Sequence, residues 1–246
     1  MKVLLLGGTG EARSLASALA GEPGVHVVSS LAGRTTDARL PVGEVRQGGF
    51  GGTDGLVDWL RDNAVDAIVD ATHPFAATMT EHAVAASREV GVPLVVLRRP
   101  GWNPGPGDTW HWAESADAAA RLLPALGSRA FLTIGRQGVD AFAGLHALWF
   151  LIRAIDPPDV ATPPESTLLL ARGPFAVTDE IALMREHRID VLVTKNSGGG
   201  QTDAKLDAAR DLGVPVLMIR RPPLPSGTAP VDDVEGALEW IDSVTR

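Results

Sequence analysis

Cysteine and tyrosine are both absent from this chain of 246 residues. The lack of cysteine excludes disulfides, thiolate zinc sites, iron–sulfur ligation and a cysteine nucleophile. The lack of tyrosine excludes the Tyr-x-x-x-Lys pair that supplies the acid in common short-chain oxidoreductases. The sequence also has no H-E-x-x-H, no G-x-S-x-G and no histidines at metal-ligand spacing, so we expect no metal site and no hydrolase of these classes.

Basic residues and long apolar runs are also scarce. Asp and Glu number 30 against 22 Lys and Arg, which gives a formal net charge of −8. An acidic chain has little general attraction for nucleic acid or anionic membranes. No apolar run approaches the roughly 20 residues of a membrane helix, and the run at 3–6 is too short for a signal-peptide core. We expect a cytoplasmic protein without nucleic-acid or membrane partners, as a monomer or weak homo-oligomer.

Short apolar runs alternate with amphipathic runs along the chain. Strands are predicted at 2–8, 25–30, 65–72 and 92–97. Helices are predicted at 11–21, 54–63, 74–91 and 231–246, with Pro74 at the first position of the third. This alternation favours parallel βαβ units and a doubly wound α/β sheet.

The pattern is written twice. VGVPLVVLRRP at 90–100 returns as LGVPVLMIRRP at 212–222, and the segments before both copies also align. A strand, glycine turn and helix at 129–145 overlay 3–19, which places Gly135 on Gly7. We predict two similar α/β halves joined through the Pro- and Gly-rich segment after residue 100. The alternative is that the repeated phrase is merely common at helix-to-strand junctions.

A glycine turn stands between the first strand and the first helix, in LLLGGTGEAR. Backbone N–H groups and the positive end of a helix can hold a pyrophosphate at such a turn. The G-x-G-x-x-G fingerprint is incomplete, because Arg13 occupies the place of its third glycine. The position directly after the first strand nevertheless fits a dinucleotide site.

The end of the second strand predicts which dinucleotide binds. Sites for NAD usually carry Asp or Glu there, for the ribose hydroxyls. This chain has Ser29, Ser30 and then Arg34. Serines and an arginine would accept a 2′-phosphate, so we predict NADPH over NADH. The alternative is an ordinary turn with a solvated arginine.

Cations follow several of the apolar runs. They are Arg98, Arg99, Arg136, Arg153, Arg172, Lys195, Arg220 and Arg221. In open parallel sheets, ligands bind beyond the carboxyl ends of the strands. Two sheets facing a cleft would gather these charges around a ligand with several carboxylates or phosphates. The alternative for any one of them is a solvated surface side chain.

Seven motifs together resemble the precorrin-6A reductases of the corrin pathway to cobalamin. They are LLLGGTGEAR, SLAGR, QGGFGG, DATHPFA, LTIGRQGV, LLLARGPF and VTKNSGG with TDAKLDAAR. The likeness runs from residue 3 to about 222. It implies NADPH-dependent reduction of a double bond of precorrin-6A, a polycarboxylate tetrapyrrole, to give precorrin-6B without a metal. It also implies two Rossmann-like domains, each with a mainly parallel sheet, with the cleft between them.

We accordingly expect an NADPH-binding domain at 1–125 and a second domain at 126–246 that contributes to substrate binding. The resemblance implies cofactor contacts from Gly7, Gly8, Thr9, Gly10, Glu11, Ala12, Arg13, Ser30, Arg34, Thr72, His73 and Pro74. His73 would position the cofactor or lend a proton, or else be a hydrogen-bonded helix-cap residue. No proton donor is assigned.

The resemblance places the macrocycle in the second half. It implies substrate contacts from Arg136, Arg172, Lys195, Ser197, Gly198, Gly199 and Lys205. The alternative is that this glycine turn is a remnant of the duplication. Three other functions stay open: a cobalt-precorrin-6A reductase using NADH, a non-catalytic NADP-binding sensor, and a transferase with a nucleotide-linked donor.

Overall fold

The computed structural model describes residues 1–33 and 39–244, which form two compact units. Unit 1 comprises Met1–Pro100 and the described residues from Pro222 onwards, and unit 2 comprises Gly101–Arg221. Each unit has a six-stranded sheet in which every strand pair is parallel. The predicted α/β class with two parallel sheets is confirmed.

Twelve strands and seven α-helices make up the described chain. The strands are β1 (Lys2–Leu6), β2 (His26–Leu31), β3 (Glu44–Gln47), β4 (Ala67–Asp70), β5 (Leu94–Leu97), β6 (Trp110–Ala113), β7 (Arg129–Thr133), β8 (Trp149–Ala154), β9 (Ser166–Leu170), β10 (Val191–Lys195), β11 (Val216–Ile219) and β12 (Pro230–Val231). The helices are α1 (Gly10–Leu19), α2 (Thr53–Asp62), α3 (Ala77–Val90), α4 (Ala116–Leu122), α5 (Val177–Glu186), α6 (Ala204–Leu212) and α7 (Val234–Val244). Short 3₁₀ helices occur at Leu123–Ala125 and Val139–Phe142.

The two sheets have the same order of strands. It is β12-β5-β4-β1-β2-β3 in unit 1 and β6-β11-β10-β7-β8-β9 in unit 2. Both follow the doubly wound arrangement, with β1 central in unit 1 and β7 central in unit 2, and the chain reverses direction beside these strands. Binding sites in such sheets lie at the carboxyl end of that central region, which is the end of β1 in unit 1.

The sixth strand of each sheet comes from the chain segment that follows the fifth strand of the other sheet. After β5 the chain enters unit 2 and adds β6 beside β11, and after β11 it returns and adds β12 beside β5. The observed boundaries between the units lie at 100/101 and 221/222, in place of the single predicted boundary at 125/126. Both halves carry a strand and helix after their RRP segment, and the repeat itself does not tell which sheet that strand joins.

A repeated hydrogen-bond pattern supports the predicted internal repeat. In unit 1, the Asp66 carboxylate accepts a hydrogen bond from the Lys2 amide at 2.6 Å, and the Asp66 amide donates to the Lys2 carbonyl at 2.8 Å. In unit 2, Asp190 does the same with Arg129, at 2.8 and 3.0 Å. These aspartates occupy matching positions in the two aligned segments, so each fixes the start of a central strand in the same way.

Helix α3 begins three residues later than predicted. Ala76 donates its amide to the His73 carbonyl at 2.7 Å, which closes a turn over Pro74 before the helix begins at Ala77. Pro74 therefore belongs to this turn and not to the first helical position. The C-terminus of the helix is as predicted, with Gly91 in the left-handed conformation.

The helix predicted within 129–145 does not form. Throughout the fully described stretch between β7 and β8, the chain makes a 3₁₀ helix at Val139–Phe142 and no α-helix. Gly135 and Gly138 both have positive φ, of 77° and 86°. The stretch is also short and interrupted again at Gly144, so it cannot build three turns of α-helix. The two glycine turns of the repeat thus have different surroundings.

The sheet of unit 1 is buried on both faces. Alternate residues of β1 pack against different helices, with Leu5 on the side of α1 and α7 and Leu4 on the side of α2. Because side chains alternate along a strand, the paired strand β2 divides its residues in the same way. Ser29 is paired with Leu5 and so lies on the α1 face, whereas Ser30 lies on the opposite face.

Candidate cofactor and substrate sites

The glycine turn of unit 1 lies between the end of β1 and the start of α1. Thr9 caps the helix, since its Oγ1 accepts a hydrogen bond from the Ala12 amide at 3.1 Å. Gly8 has a φ of +118°, a conformation that side-chain-bearing residues rarely adopt. Among the described residues, no atom outside Gly8 and its two chain neighbours lies within 4 Å of the position that a Cβ on Gly8 would occupy. The turn therefore lets a ligand approach the backbone at the positive end of α1.

A small pocket adjoins this turn, and its lining includes Gly7, Gly8, Arg13, Ser29 and Arg39. The Ser29 hydroxyl is buried and has no hydrogen-bond partner within 1–33 and 39–244. Buried polar groups nearly always have partners, because leaving one unpaired costs about 1–3 kcal/mol. A ligand oxygen or nitrogen in the pocket would supply the missing partner, so these residues fit a dinucleotide.

The structure separates the two serines of β2, and Ser29 is the one that lines the pocket. Ser30 lies on the other face, where the Arg46 Nη1 donates to its hydroxyl at 3.3 Å. The Arg46 guanidinium also stacks 3.7 Å above the Phe50 ring and donates to the Gly48 carbonyl at 2.6 Å. Arg39 is a polar pocket residue that the sequence prediction does not include. Strand alternation would have separated Ser29 from Ser30, because β1 and β2 were both predicted.

The remaining predicted residues of the first turn have distinct surroundings. Glu11 forms an ion pair with Arg99 at 2.8 Å, and both side chains are mostly buried. Ala12 is buried under the turn, and Arg13 lines the pocket. Arg34, the residue predicted to meet the 2′-phosphate, lies outside the described residues.

The segment after β4 is joined to the glycine turn. Thr9 donates its hydroxyl to the Ala71 carbonyl at 2.8 Å. Asp70 is 1% exposed and accepts from both the amide and the hydroxyl of Thr72, at 3.0 and 2.6 Å. It also accepts from the Thr80 hydroxyl of α3 at 2.6 Å. Asp70 thus fixes the loop that carries Thr72. Asp70 is absent from the residues predicted for the site, although it is the one acidic residue in an otherwise apolar strand.

His73 is exposed, and its Nδ1 accepts a hydrogen bond from the Phe75 amide at 3.3 Å. In the neutral ring this leaves the proton on Nε2. His73 lies within the turn that precedes α3, while the cap of that helix is Ala76. The side chain is consequently held by its own turn, and a role in positioning the cofactor stays a prediction.

In unit 2, a loop with two consecutive left-handed glycines follows β10. Gly198 and Gly199 have φ of 66° and 77°. Lys195 ends the strand and is partly buried, and this burial lowers the pKa of its amine. The following Asn196 exchanges two hydrogen bonds with the backbone of Trp102, at 2.8 and 3.1 Å. The loop thus starts from a fixed point directly after the lysine.

Arg136 and Arg172 also follow strands of the second sheet. Arg136 lies in the loop after β7 and is partly buried, and Arg172 lies two residues after β9 and is exposed. Since β7 pairs in parallel with β10, the loop carrying Arg136 and the last residue of β10, Lys195, lie at the same carboxyl end of the sheet. Ser197 follows at that end, with its amide bonded to the Lys195 carbonyl at 2.7 Å.

Two of the predicted cations are buried inside unit 2. Arg153 lies within β8, is 7% exposed and forms an ion pair with Glu180 of α5. Lys205 is 3% exposed, and its Nζ donates to the carbonyl of Thr202. The expectation of a strand-end ligand is therefore wrong for Arg153. The contacts of Lys205 are with the Thr202 carbonyl and the Trp102 ring of the same unit.

The four arginines of the repeated RRP segments all have partners within their own unit. Arg98 donates to the Pro222 carbonyl at 2.7 Å, and Arg99 pairs with Glu11. Arg220 pairs with the exposed Glu114 at 2.9 Å, and Arg221 donates to the Asn196 carbonyl at 2.6 Å. All four contacts join the end of β5 or β11 to a neighbouring loop or helix, which accounts structurally for the repetition.

The described residues contain neither a membrane-spanning helix nor a group of metal ligands. None of the helices within 1–33 and 39–244 combines the length and apolar character that a membrane crossing requires. Over the same residues, no three His, Asp or Glu side chains are grouped as metal ligands.

The chain forms two doubly wound parallel sheets, and a glycine turn leads from β1 into α1. Beside this turn lies the Ser29 hydroxyl, which is buried and has no hydrogen-bond partner among the described residues. These features define an α/β protein of the dinucleotide-binding class. The family model described as "Precorrin-6x reductase CbiJ/CobK" matches residues 2–242. The chain belongs to this family. Its members are reductases, which implies a nicotinamide cofactor.

Individual relatives agree with the family match. A precorrin-6A reductase from Rhodococcus erythropolis is 73% identical over 100% of this chain and 99% of its own. A precorrin-6A reductase from Mycobacterium tuberculosis is 54% identical over 98% of this chain and 97% of its own. A solved structure named CobK precorrin-6A reductase superposes with a TM-score of 0.92 at 40% identity, covering 99% of this chain and 97% of its own.

Proposed function

We propose that this protein reduces one double bond of precorrin-6A with NADPH to give precorrin-6B, as a cytoplasmic enzyme of cobalamin biosynthesis. Unit 1 would bind the cofactor and unit 2 would contribute to binding of the substrate. One observation supports the assignment of the cofactor to unit 1. The glycine turn after β1 leads into the α-helix α1, whereas the matching glycine turn after β7 leads into a 3₁₀ helix. We expect a monomer or weak homo-oligomer.

The proposed cofactor site is built from the turn and the two loops next to it. Gly7 and Gly8 would leave room for the pyrophosphate, and the first turn of α1 would donate backbone hydrogen bonds to it. Ser29 and Arg39 would line the adenosine end together with Arg34. The bound NADPH supplies a hydride. The loop of Thr72, His73 and Pro74 would then border the nicotinamide, because Thr9 joins it to the turn.

The proposed substrate site uses charge in place of a dedicated acid. Precorrin-6A carries several carboxylates. Three cations lie at the carboxyl end of the second sheet, namely Arg136, Arg172 and Lys195. The backbone amides of Ser197, Gly198 and Gly199 would add hydrogen-bond donors. A conjugated macrocycle accepts a hydride once a ring nitrogen is protonated, so orientation and charge complementarity supply most of what the protein must provide.

Comparison of the two nicotinamide cofactors tests the proposal. We expect initial rates with precorrin-6A to be higher with NADPH than with NADH at equal concentration. Faster turnover with NADH, or turnover only with the cobalt-bearing macrocycle, would favour the alternative enzyme. Tight NADP binding with no oxidation in the presence of the tetrapyrrole would favour the sensor.

Arg34→Glu is expected to weaken NADPH binding by about 2 kcal/mol, because a charge-assisted pair is lost and repulsion is added. NADH has no 2′-phosphate, so its binding should change much less. Fluorescence titration with both cofactors measures the difference. The matched control is Arg121→Glu on the exposed face of α4, which makes the same charge change in unit 2. Unchanged NADPH affinity in the Arg34 variant would refute the adenosine-end assignment.

Lys195→Ala is expected to raise the KM for precorrin-6A about tenfold while the NADPH dissociation constant stays within about twofold, since a carboxylate pair is worth roughly 1.5–3 kcal/mol. Steady-state kinetics with each substrate varied in turn gives both values. The opposite pattern, with NADPH binding weakened more, would move Lys195 to the cofactor.

A further inference from the structure

Three buried charged side chains and two half-buried aromatic side chains form a group next to the loops of unit 2. We call it the Arg153 cluster; it consists of Arg153, Phe175, Glu180, Lys205 and Trp102. Its three ionisable members are 7%, 2% and 3% exposed, in the order Arg153, Glu180 and Lys205. Burying charges costs several kcal/mol per ion unless each is well paired, and apolar residues would fill the same space at no such cost. The cluster therefore calls for a role beyond packing.

Arg153 is held on all sides. Its two terminal nitrogens donate to the two carboxylate oxygens of Glu180, one of them at 2.9 Å. Its guanidinium stacks 3.8 Å from the centre of the Phe175 ring and 4.8 Å from that of Phe131. This bidentate and stacked geometry is the one in which arginine is most rigid. The pair thus gives a fixed base on which the neighbouring residues rest.

Lys205 connects that base to the loop after β10. Its Nζ donates to the Thr202 carbonyl and lies 4.8 Å from the centre of the Trp102 ring. The Trp102 indole N–H in turn donates to the Gly199 carbonyl at 3.1 Å. Two carbonyls of the loop 196–202, those of Gly199 and Thr202, are therefore fixed by side chains of the cluster. They flank residues 200–201, which follow the two left-handed glycines.

Phe175 connects the same base to the loop after β9. It follows Arg172, Gly173 and Pro174 in the chain. A Cβ on Gly173 would lie 2.8 Å from the Gln201 carbonyl oxygen and 3.3 Å from the Phe175 ring. The loop of Arg172 and the loop 196–202 therefore touch each other above the cluster, and displacement of one would displace the other.

We infer that Lys205 is a positioning residue, which fixes the loop 196–202 and, through it, the loop of Arg172 in the arrangement that receives the substrate, without touching the substrate itself. This rests on the proposed function in one respect, namely that these loops carry the substrate carboxylates and amide contacts. This role replaces the direct substrate contact that the sequence predicts for Lys205. The side chain is 3% exposed and its Nζ donates to the Thr202 carbonyl.

Lys205→Met tests the inference, since methionine keeps the length and volume of the side chain and removes the donor. We expect the KM for precorrin-6A to rise about tenfold, the effect of losing roughly 1.5 kcal/mol of ordering, while kcat and the NADPH dissociation constant change less than about twofold. Trp102→Phe, which keeps an aromatic ring and removes the indole N–H that bonds the Gly199 carbonyl, should raise the same KM by a smaller factor. Arg185→Met, on the exposed face of α5, is the matched control and should change none of these values.

Amide hydrogen exchange separates this inference from the proposed function. Lys205→Met should accelerate exchange in 197–202 and leave α1 and the glycine turn of unit 1 unchanged. If the wild-type protein failed to reduce precorrin-6A but this local acceleration occurred, the proposed function would fail and the positioning role would stand. An unchanged KM with unchanged exchange would overturn the inference, as would an equal loss of NADPH affinity, which would indicate general destabilisation.

Discussion

Glu180→Ala should lower the free energy of unfolding of unit 2 by about 3–5 kcal/mol, one of the largest effects of any single substitution in this chain. The Glu180 carboxylate is 2% exposed and accepts hydrogen bonds from both terminal nitrogens of Arg153. Without it, the arginine charge stays buried between Phe131 and Phe175 with no counter-ion. Urea unfolding followed by tryptophan fluorescence measures this, because Trp102, Trp110, Trp112 and Trp149 all lie in unit 2.

The double variant Arg153→Met with Glu180→Leu is the control. It removes both charges and keeps apolar volume, so its unfolding free energy should lie within about 2 kcal/mol of the wild-type value, since replacing a buried pair is far less costly than breaking one. If the single variant lost less than about 1 kcal/mol, or if the double variant lost as much as the single, the pair would not be the buried and mutually dependent unit described here.

Lys205→Met is expected to stabilise the protein at neutral and acidic pH and to destabilise it at alkaline pH. Burial, helped by the positive charge of Arg153, lowers the pKa of Lys205 to about 7, against an ordinary value of 10.5. Between these values the unfolded chain binds a proton that the folded chain has released. The stability of the wild-type protein therefore rises with pH across this window, with a slope of at most about 1.4 kcal/mol per pH unit.

Below pH 7 the wild-type protein bears the whole cost of a buried ammonium, on the order of 4 kcal/mol. Methionine bears none, so the variant should be the more stable form there. Near pH 10 the amine of folded Lys205 is neutral and its bond to the Thr202 carbonyl still stabilises the loop, so the wild-type protein should be more stable by about 1 kcal/mol.

Urea unfolding of both proteins from pH 6 to pH 10 gives the difference directly. Groups other than Lys205 titrate in both proteins and cancel in the difference, and Arg185→Met checks that loss of a surface cation has no such effect. A difference that stays flat over this range would show that the Lys205 amine does not change its proton affinity on folding.

Much of the fold could be predicted because the signals were local. Apolar runs such as Val3–Leu6 are buried on both faces and alternate with amphipathic helices, which is the pattern of a parallel sheet. The exchange of sixth strands could not be predicted, because β12 is only two residues long and β6 and β12 follow equivalent RRP segments. Which sheet a strand joins is decided by pairing and by helix packing, here by Ile241 of α7 against the α1 side of the core.

The candidate site was predicted where chain geometry alone decides it. The glycine turn between β1 and α1 forms as predicted, with Thr9 as the N-cap and Gly8 at positive φ, whereas the matching turn after β7 leads into a 3₁₀ helix. Prediction failed for Arg153, because a cation after an apolar run has the same sequence signature whether it reaches a ligand or a buried partner. Its partner Glu180 is 27 residues away on another element. Only the tertiary structure brings the two together.

Hydride transfer from labelled cofactor tests the central claim, that this chain reduces precorrin-6A with NADPH, most directly. NADPH carrying deuterium at both C4 positions of the nicotinamide is mixed with precorrin-6A and the purified protein, and the macrocycle is analysed by mass spectrometry. We predict one deuterium in each reduced macrocycle and one NADP⁺ formed for each. Oxidation of the cofactor without deuterium in the macrocycle, or no oxidation at all, would contradict the account.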